Sequence, residues 1–367
     1  LVSAVGESAS VYRYGGDEFV VVSWDRDDIR CEAQPGRLRM ADSIVAAMRE
    51  PFELSAGRVF VSTSIGIAVP KSGSVPNVDD LIREADSAMY HVKATGPGGY
   101  AMFDDGLRAV AVSELALSNA LREAVERDEF ELYYQPIVEL ATGETVAYEA
   151  LLRWHLKGRL VEPGEFIGIA ESSDLIVGIG EWVIDRACRQ LSQWRMHRPD
   201  LRITVNVSAR QLRNLDIVET VRTTLDSCGL PGDALWLELT ESAFIEDRPT
   251  ALAALDGLVA MGVRICIDDF GTGYSALGHL LRFPIDVVKI DKSFIRAGDG
   301  DRRMFVLASA IEVLTEALEL SSVAEGVETE HQLAQVKAIG CRYAQGWYYG
   351  RPMPAEDVAI GVPVAEH

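Results

Sequence analysis

Glu149, Asn206, Glu238, the adjacent Asp268 and Asp269, Lys289, Glu325 and Gln345 share one property: nearly all close a short run of apolar and β-branched residues. Those runs read VAYEALL, ITVNVS, LWLELTE, VRICIDD, VVKID and SVAEG. A carboxylate at the end of a buried strand is costly unless a cation or hydrogen-bond donors offset its desolvation. An all-oxygen donor set suits hard cations such as Mg²⁺ or Mn²⁺ better than zinc. Adjacent acids can serve two ions at once, and two ions ~3.5–4 Å apart clamp the attacking and leaving oxygens of an in-line phosphoryl displacement. Lys289 adds a point charge that could hold a water or steady a developing oxyanion.

Strand ends so far apart in sequence share one site only if the strands run parallel around a closed barrel, with the site at their C-terminal face. The expected fold class is therefore α/β, a (β/α)₈ TIM-like barrel. From about Phe130 the strand-like runs alternate with helical ones over Trp182–His197, Ala209–Cys228, Thr250–Met261, Ser275–Leu281, Arg303–Leu320 and Glu330–Ile339. The first hundred residues instead read as α+β. Ser10–Tyr14 and Glu18–Ser23 flank a Gly15-Gly16-Asp17 turn, a hairpin signal. Helices are expected from about Gly36 to Arg49 and over Val78–Ala94, with one strand over Val59–Val69. Ser113–Arg127 reads as a short amphipathic helix. The expected organisation is residues 1–105 as a first domain, 106–127 as a linker helix and 113–367 as the barrel.

Composition narrows the function. A net charge of −21 over 367 residues argues against binding a nucleic-acid polymer. It also means that a phosphate ester could approach an acidic pocket only if divalent ions reverse the local field. The five cysteines show no CxxC spacing and the six histidines no HExxH pair, so they read as thiols of a reducing cytoplasm and not as a zinc site. No apolar stretch approaches the ~18 residues of a membrane span. A chain starting at Leu1 reads as a fragment of a longer protein, one that could be membrane-tethered upstream.

The segment Glu149-Ala150-Leu151-Leu152-Arg153-Trp154 resembles the signature of the EAL family of cyclic di-GMP phosphodiesterases, and the resemblance runs from Ser113 to Pro354. Tyr134-Gln135-Pro136, Asn206-Val207-Ser208, Glu238-Leu239-Thr240-Glu241, the Asp268–Ser275 segment, Lys289-Ile290-Asp291, Glu325-Gly326-Val327-Glu328 and Gln345-Gly346 follow in the family's order. By that resemblance Glu149, Asn206, Glu238 and Asp268 hold a first ion, and Asp268, Asp269 and Glu325 surround a second. Lys289 orients or activates the hydrolytic water. Gln135 contacts a guanine, Arg153 a substrate phosphate, and Asp291 and Gln345 belong to the substrate-binding set. Glu241, Gly271, Gly273 and Glu328 support the loops. The implied reaction is hydrolysis of cyclic di-GMP to linear pGpG with two Mg²⁺ or Mn²⁺ ions, in a homodimer.

Tyr12-Arg13-Tyr14-Gly15-Gly16-Asp17-Glu18-Phe19 resembles the hairpin of the GGDEF diguanylate cyclase family, and Ser64-Ile65-Gly66-Ile67-Ala68 and Ala85-Asp86-Ser87-Ala88-Met89-Tyr90 match two further segments. The family's first strand and its metal-binding Asp have no counterpart here, and Gly6-Glu7-Ser8-Ala9 does not match the inhibitory Arg-x-x-Asp. This portion therefore reads as a partial domain with a regulatory role, GTP being the nucleotide that the resemblance implies. A receptor that binds cyclic di-GMP without cutting it, or a parent protein that also makes it, are the competing readings. A receptor would be expected to lack a metal ligand, and none is missing.

Overall fold

The computed structural model describes residues 1–6, 9–23, 34–54, 57–70, 77–95, 98–213, 216–241, 243, 249–271, 280, 282–296 and 302–360. The chain divides into two compact units, Leu1–Ala116 and Leu117–His367. Apart from Leu280, the expected helix over Ser275–Leu281 lies outside the described residues, as do Gly273 and most of the loop after Asp269.

In the first unit, β1 (Ala9–Gly15) and β2 (Glu18–Ser23) form the expected antiparallel hairpin. Gly16 sits at φ 52° in its turn, where the Arg13 guanidinium donates to the Gly16 carbonyl at 2.7 and 3.0 Å. Helices span Gln34–Arg49 and Val78–Thr95. The strand expected over Val59–Val69 is instead two pieces. One, β4 (Gly57–Val59), pairs antiparallel with β3 (Phe52–Leu54), and the other, β5 (Ile65–Ile67), pairs parallel with β6 (Tyr100–Met102). Residues 60–64 join no ladder, and a strand persists only where its backbone groups find partners. The helix expected from Ser113 spans Asp105–Ala124, its first turn capped by Asp104 Oδ1, which accepts from the Leu107 N–H at 2.8 Å.

The second unit is an eight-stranded closed barrel. Around it run β7 (Phe130–Glu139), β15 (Tyr343–Gln345), β14 (Ser321–Ala324), β13 (Val287–Ile290), β12 (Arg264–Phe270), β11 (Leu235–Thr240), β10 (Arg202–Asn206) and β8 (Thr145–Leu156), and the β7–β8 pairing closes the ring. The short β9 (Arg159–Val161) and β16 (Met353–Pro354) pair beside β8 and β7. One expectation is corrected: seven strands run parallel, but β7 is antiparallel to both neighbours, β8 and β15. The reason is the connection. Residues 140–144 form a tight turn with Gly143 at φ 72°, and a parallel pair would need a crossover of a dozen residues or more.

Helical runs expected between strands occur as Leu175–Arg195, Asp216–Cys228, Pro249–Ala260, Arg302–Ala317 and Glu330–Ile339, and a helix that was not expected spans Pro163–Ser172. Their inward faces and the strands form the main core, where Phe130, Trp154, Phe166 and Trp182 meet with ring centroids 5.4–6.1 Å apart. The last helix is closed by a Thr329/Gln332 capping box at its start and by left-handed Gly340 at its end. Among the described residues, no helix is long and apolar enough to cross a membrane.

Candidate active site

Strand register gathers the polar strand ends. Asn206 on β10 lies opposite Glu238 on β11, and Thr240, two residues on, lies opposite Asp268 on β12. Across the closing seam Gln135 on β7 faces Glu149 on β8. Residues directly opposite on paired strands share a face, so the chain converges these groups at one end of the barrel.

Their centre is Lys289, whose side chain is 1% exposed. Its Nζ donates to Glu238 Oε2 at 2.8 Å and lies 2.6 Å from Glu325 Oε1, 3.5 Å from Asp268 Oδ1 and 3.6 Å from Glu149 Oε2. Glu149 is fixed from the other side: Asn206 Nδ2 donates to its Oε1 at 2.8 Å and Gln345 Nε2 to its Oε2 at 2.6 Å. Gln345 Nε2 also reaches Gln135 Oε1 at 3.0 Å, and Gln135 Nε2 donates to the Gly350 carbonyl at 3.0 Å. Polarity grades outward, with Glu149, Glu238 and Lys289 buried, Asp268 and Glu325 partly open, and Asp269 exposed.

This crowding moves the proton equilibria of Glu149, Glu238, Lys289 and Glu325. Burial alone would raise the Glu149 carboxyl, but the Lys289 charge and the amides of Gln345 and Asn206 hold it below its ordinary value. Burial, with the Glu149 charge adding to it, pushes Glu238 well above the usual range despite Lys289. Glu325 is raised to about 7, mainly by burial and against the pull of Lys289. Burial disfavours the Lys289 ammonium, yet Asp268, Glu149, Glu238 and Glu325 together hold it well above its ordinary value. The lysine is protonated and acts as a donor.

The donor set fits divalent cations. Asp268, Asp269 and Glu325 offer oxygens that all lie within 4.8 Å of one another. With all five carboxylates ionised, one ammonium leaves a formal charge of −4, which two divalent ions would cancel. Glu238 Oε1 and Gln345 Oε1 are buried with no hydrogen-bond partner, a costly state that a bound cation would relieve at the carboxylate.

The remaining expected residues fall around this centre. Arg153 shares the Glu149 face of β8, where its Nη1 donates to the Leu152 carbonyl at 2.9 Å. Asp291 is buried and caps the turn Lys292–Arg296, accepting from the Ser293 N–H at 2.9 Å, and its charge helps to raise Asp269. Glu241 is buried just beyond β11, and the Glu328 N–H donates to Gln332 Oε1 at 2.7 Å. Gly271 sits at φ 96°, and a Cβ there would meet Phe294 and Ile311 at 3.0 Å. Gly15, Gly16, Asp17, Glu18 and Phe19 lie exposed on the first unit's hairpin. Sequence reading missed Tyr133, whose ring lies 5.4 Å from the Arg153 guanidinium, and Glu162, 3.7 Å from Arg153 Nε. Alternation back from Gln135 places Tyr133 on the same face, but only the hairpin brings that face to Arg153.

The EAL domain model matches residues 118–352, and the model for the GGDEF domain of diguanylate cyclases matches residues 1–98. Among curated proteins, the bifunctional diguanylate cyclase/cyclic di-GMP phosphodiesterase MucR of Pseudomonas aeruginosa is 42% identical over 356 residues, covering 96% of this chain and 51% of MucR. The cyclic di-GMP phosphodiesterase PdeR of Escherichia coli is 37% identical over 357 residues, covering 97% of this chain and 53% of PdeR. The chain thus spans about half the length of these relatives. Among solved structures, the PaMucR phosphodiesterase in complex with c-di-GMP is 45% identical with a TM-score of 0.64, covering 66% of this chain and 100% of that one. From residue 118 to 352, under a GGDEF match over its first 98 residues, the chain belongs to the EAL domain family.

Proposed function

We propose that the barrel hydrolyses cyclic di-GMP to linear pGpG with two Mg²⁺ or Mn²⁺ ions. The observation that carries this reading is the Lys289 cluster: strand-end carboxylates converge on one buried ammonium, with Glu238 Oε1 left unpartnered. Glu149, Asn206, Glu238 and Asp268 would hold one ion, and Asp268, Asp269 and Glu325 the other. When bound, the ions offset the site's charge and supply Lewis acidity toward the phosphodiester and its attacking water.

The chain's own residues do the rest. Lys289, whose Nζ donates to Glu238 Oε2, would orient or activate the attacking water and steady charge on the phosphoryl oxygens. Gln345 and Asn206 fix the Glu149 carboxylate so that it need not reorganise during reaction. Arg153 contacts a substrate phosphate, Gln135 a guanine edge, and Asp291 and Gln345 order the substrate side. Water attacks phosphorus and one P–O3′ bond breaks. The 3′-oxygen leaves with a proton and the phosphate stays on the 5′ side.

Purified protein with Mg²⁺ or Mn²⁺ should convert cyclic di-GMP to pGpG, followed by chromatography. Glu149→Ala should lower the rate by about 100-fold or more, beyond the 10–100-fold of a lost supporting group. Binding without cleavage under both ions would sink the enzyme reading and leave a receptor. In the proposed whole protein the GGDEF portion takes GTP as a regulator, the active form is a homodimer, and the site faces the cytoplasm. The GGDEF match over residues 1–98 and the exposed signature hairpin support a nucleotide-binding role for the first unit.

A further inference from the structure

The phosphate-contacting arginine is not free to meet a phosphate. The Arg153 side chain is only 11% exposed, lying over the Tyr133 ring with Nη1 donating to its neighbour's carbonyl. Its Nε lies 3.7 Å from Glu162 Oε2, and the Glu162 side chain is 61% exposed. The acid's backbone is pinned while its carboxylate is solvated. Glu162 follows β9 directly, precedes Pro163, and forms a capping box with Glu165 at the start of Pro163–Ser172. A side chain anchored in this way keeps its charge near the guanidinium without being buried.

A carboxylate within 4 Å of a guanidinium cancels much of the field that an incoming phosphate would feel, and it adds like-charge repulsion to that phosphate. We propose that Glu162 is a resident counter-charge for Arg153, parking the guanidinium against Tyr133 and setting the affinity with which the site takes phosphodiesters. This rests on the reading of Arg153 as the substrate-phosphate contact. Phosphate binding then exchanges one anion for another on the same cation. The exchange penalises weak anionic ligands more than a dinucleotide held also by its bases. Glu162 is a positioning residue and touches no reacting atom.

Glu162→Ser tests the proposal, because serine is a good N-cap and preserves the start of the helix; Glu162→Gln removes the charge at equal size. An exposed ion pair is worth about a two- to fivefold effect. Both variants should show KM and Kd for cyclic di-GMP lowered by that factor with kcat held. Phenylglyoxal labelling of Arg153, read by peptide mass spectrometry without ligand, should speed up by a similar factor. An unchanged or raised KM in a variant with wild-type unfolding behaviour overturns the proposal, whatever the labelling does. If the wild-type protein neither binds nor cleaves cyclic di-GMP, the phosphodiesterase reading falls. The labelling rate alone then decides whether Glu162 shields Arg153.

Discussion

Lys289 holds together carboxylates that would otherwise repel one another in a buried space. Removing one partner of a buried ionic set leaves the rest uncompensated, at about 3–5 kcal/mol. Lys289→Met should therefore destabilise the metal-free protein by about that amount in denaturant unfolding. Added Mg²⁺ should recover more stability in this variant than in the wild type, because the ion takes over the missing charge. Equal gains in both proteins would refute the view that lysine and metal share one electrostatic task. The members of this cluster were legible in the sequence, since a polar residue ending an apolar strand has few structural reasons to be there. Glu162 and Tyr133 were not legible, because their importance arises from a neighbour distant along the chain.

At the scale of elements, the helix Arg302–Ala317 carries a polar group on its buried face. Glu312 is hidden beneath it, its Oε2 buried without a hydrogen-bond partner, and burial raises its carboxyl above the ordinary value. A raised folded-state pKa favours the protonated form in the native protein. Its contribution to stability is therefore complete below the unfolded value near 4.5 and fades as pH rises through the folded value. Glu312→Gln should remove that dependence, so its melting temperature relative to wild type should climb between pH 5 and pH 8. A constant difference across that range would show that Glu312 ionises as freely in the native state as in the unfolded chain. Helix boundaries show why elements were only partly legible. The helix expected at Trp182 starts at Leu175, because Gly178 and Gly180 disguise its first turns. Gly180 has a packing reason: a Cβ there would lie 1.9 Å from Gln211 Nε2. Low helix propensity in sequence thus marked a close approach in space.

At the scale of the molecule, the barrel unit begins at Leu117, and the solved PaMucR phosphodiesterase is wholly covered by 66% of this chain. A chain starting at Ser113 should fold and retain metal-dependent hydrolysis of cyclic di-GMP within about threefold, a difference of ~0.7 kcal/mol in barrier. Insoluble or inactive protein would show that the first unit completes the barrel. GTP should alter the rate of the full chain and leave the truncated one unchanged. The barrel itself was legible from strand ends, whereas the reversed direction of β7 was not, since a strand reads the same either way and only its turn reports direction.

That reversal also bears on the order of assembly. β7 and β8 are joined by residues 140–144, whereas β8–β10, β10–β11, β11–β12, β13–β14 and β14–β15 are linked through helices. Loop-closure entropy rises by about 0.6 kcal/mol with each doubling of loop length. The seam that shuts the barrel is therefore its cheapest contact to form, and hairpins close on the scale of about 1–10 μs. Gln135 and Glu149 can come into register before the strands bearing Glu238, Lys289 and Glu325 have met, so one wall of the site can form ahead of the rest.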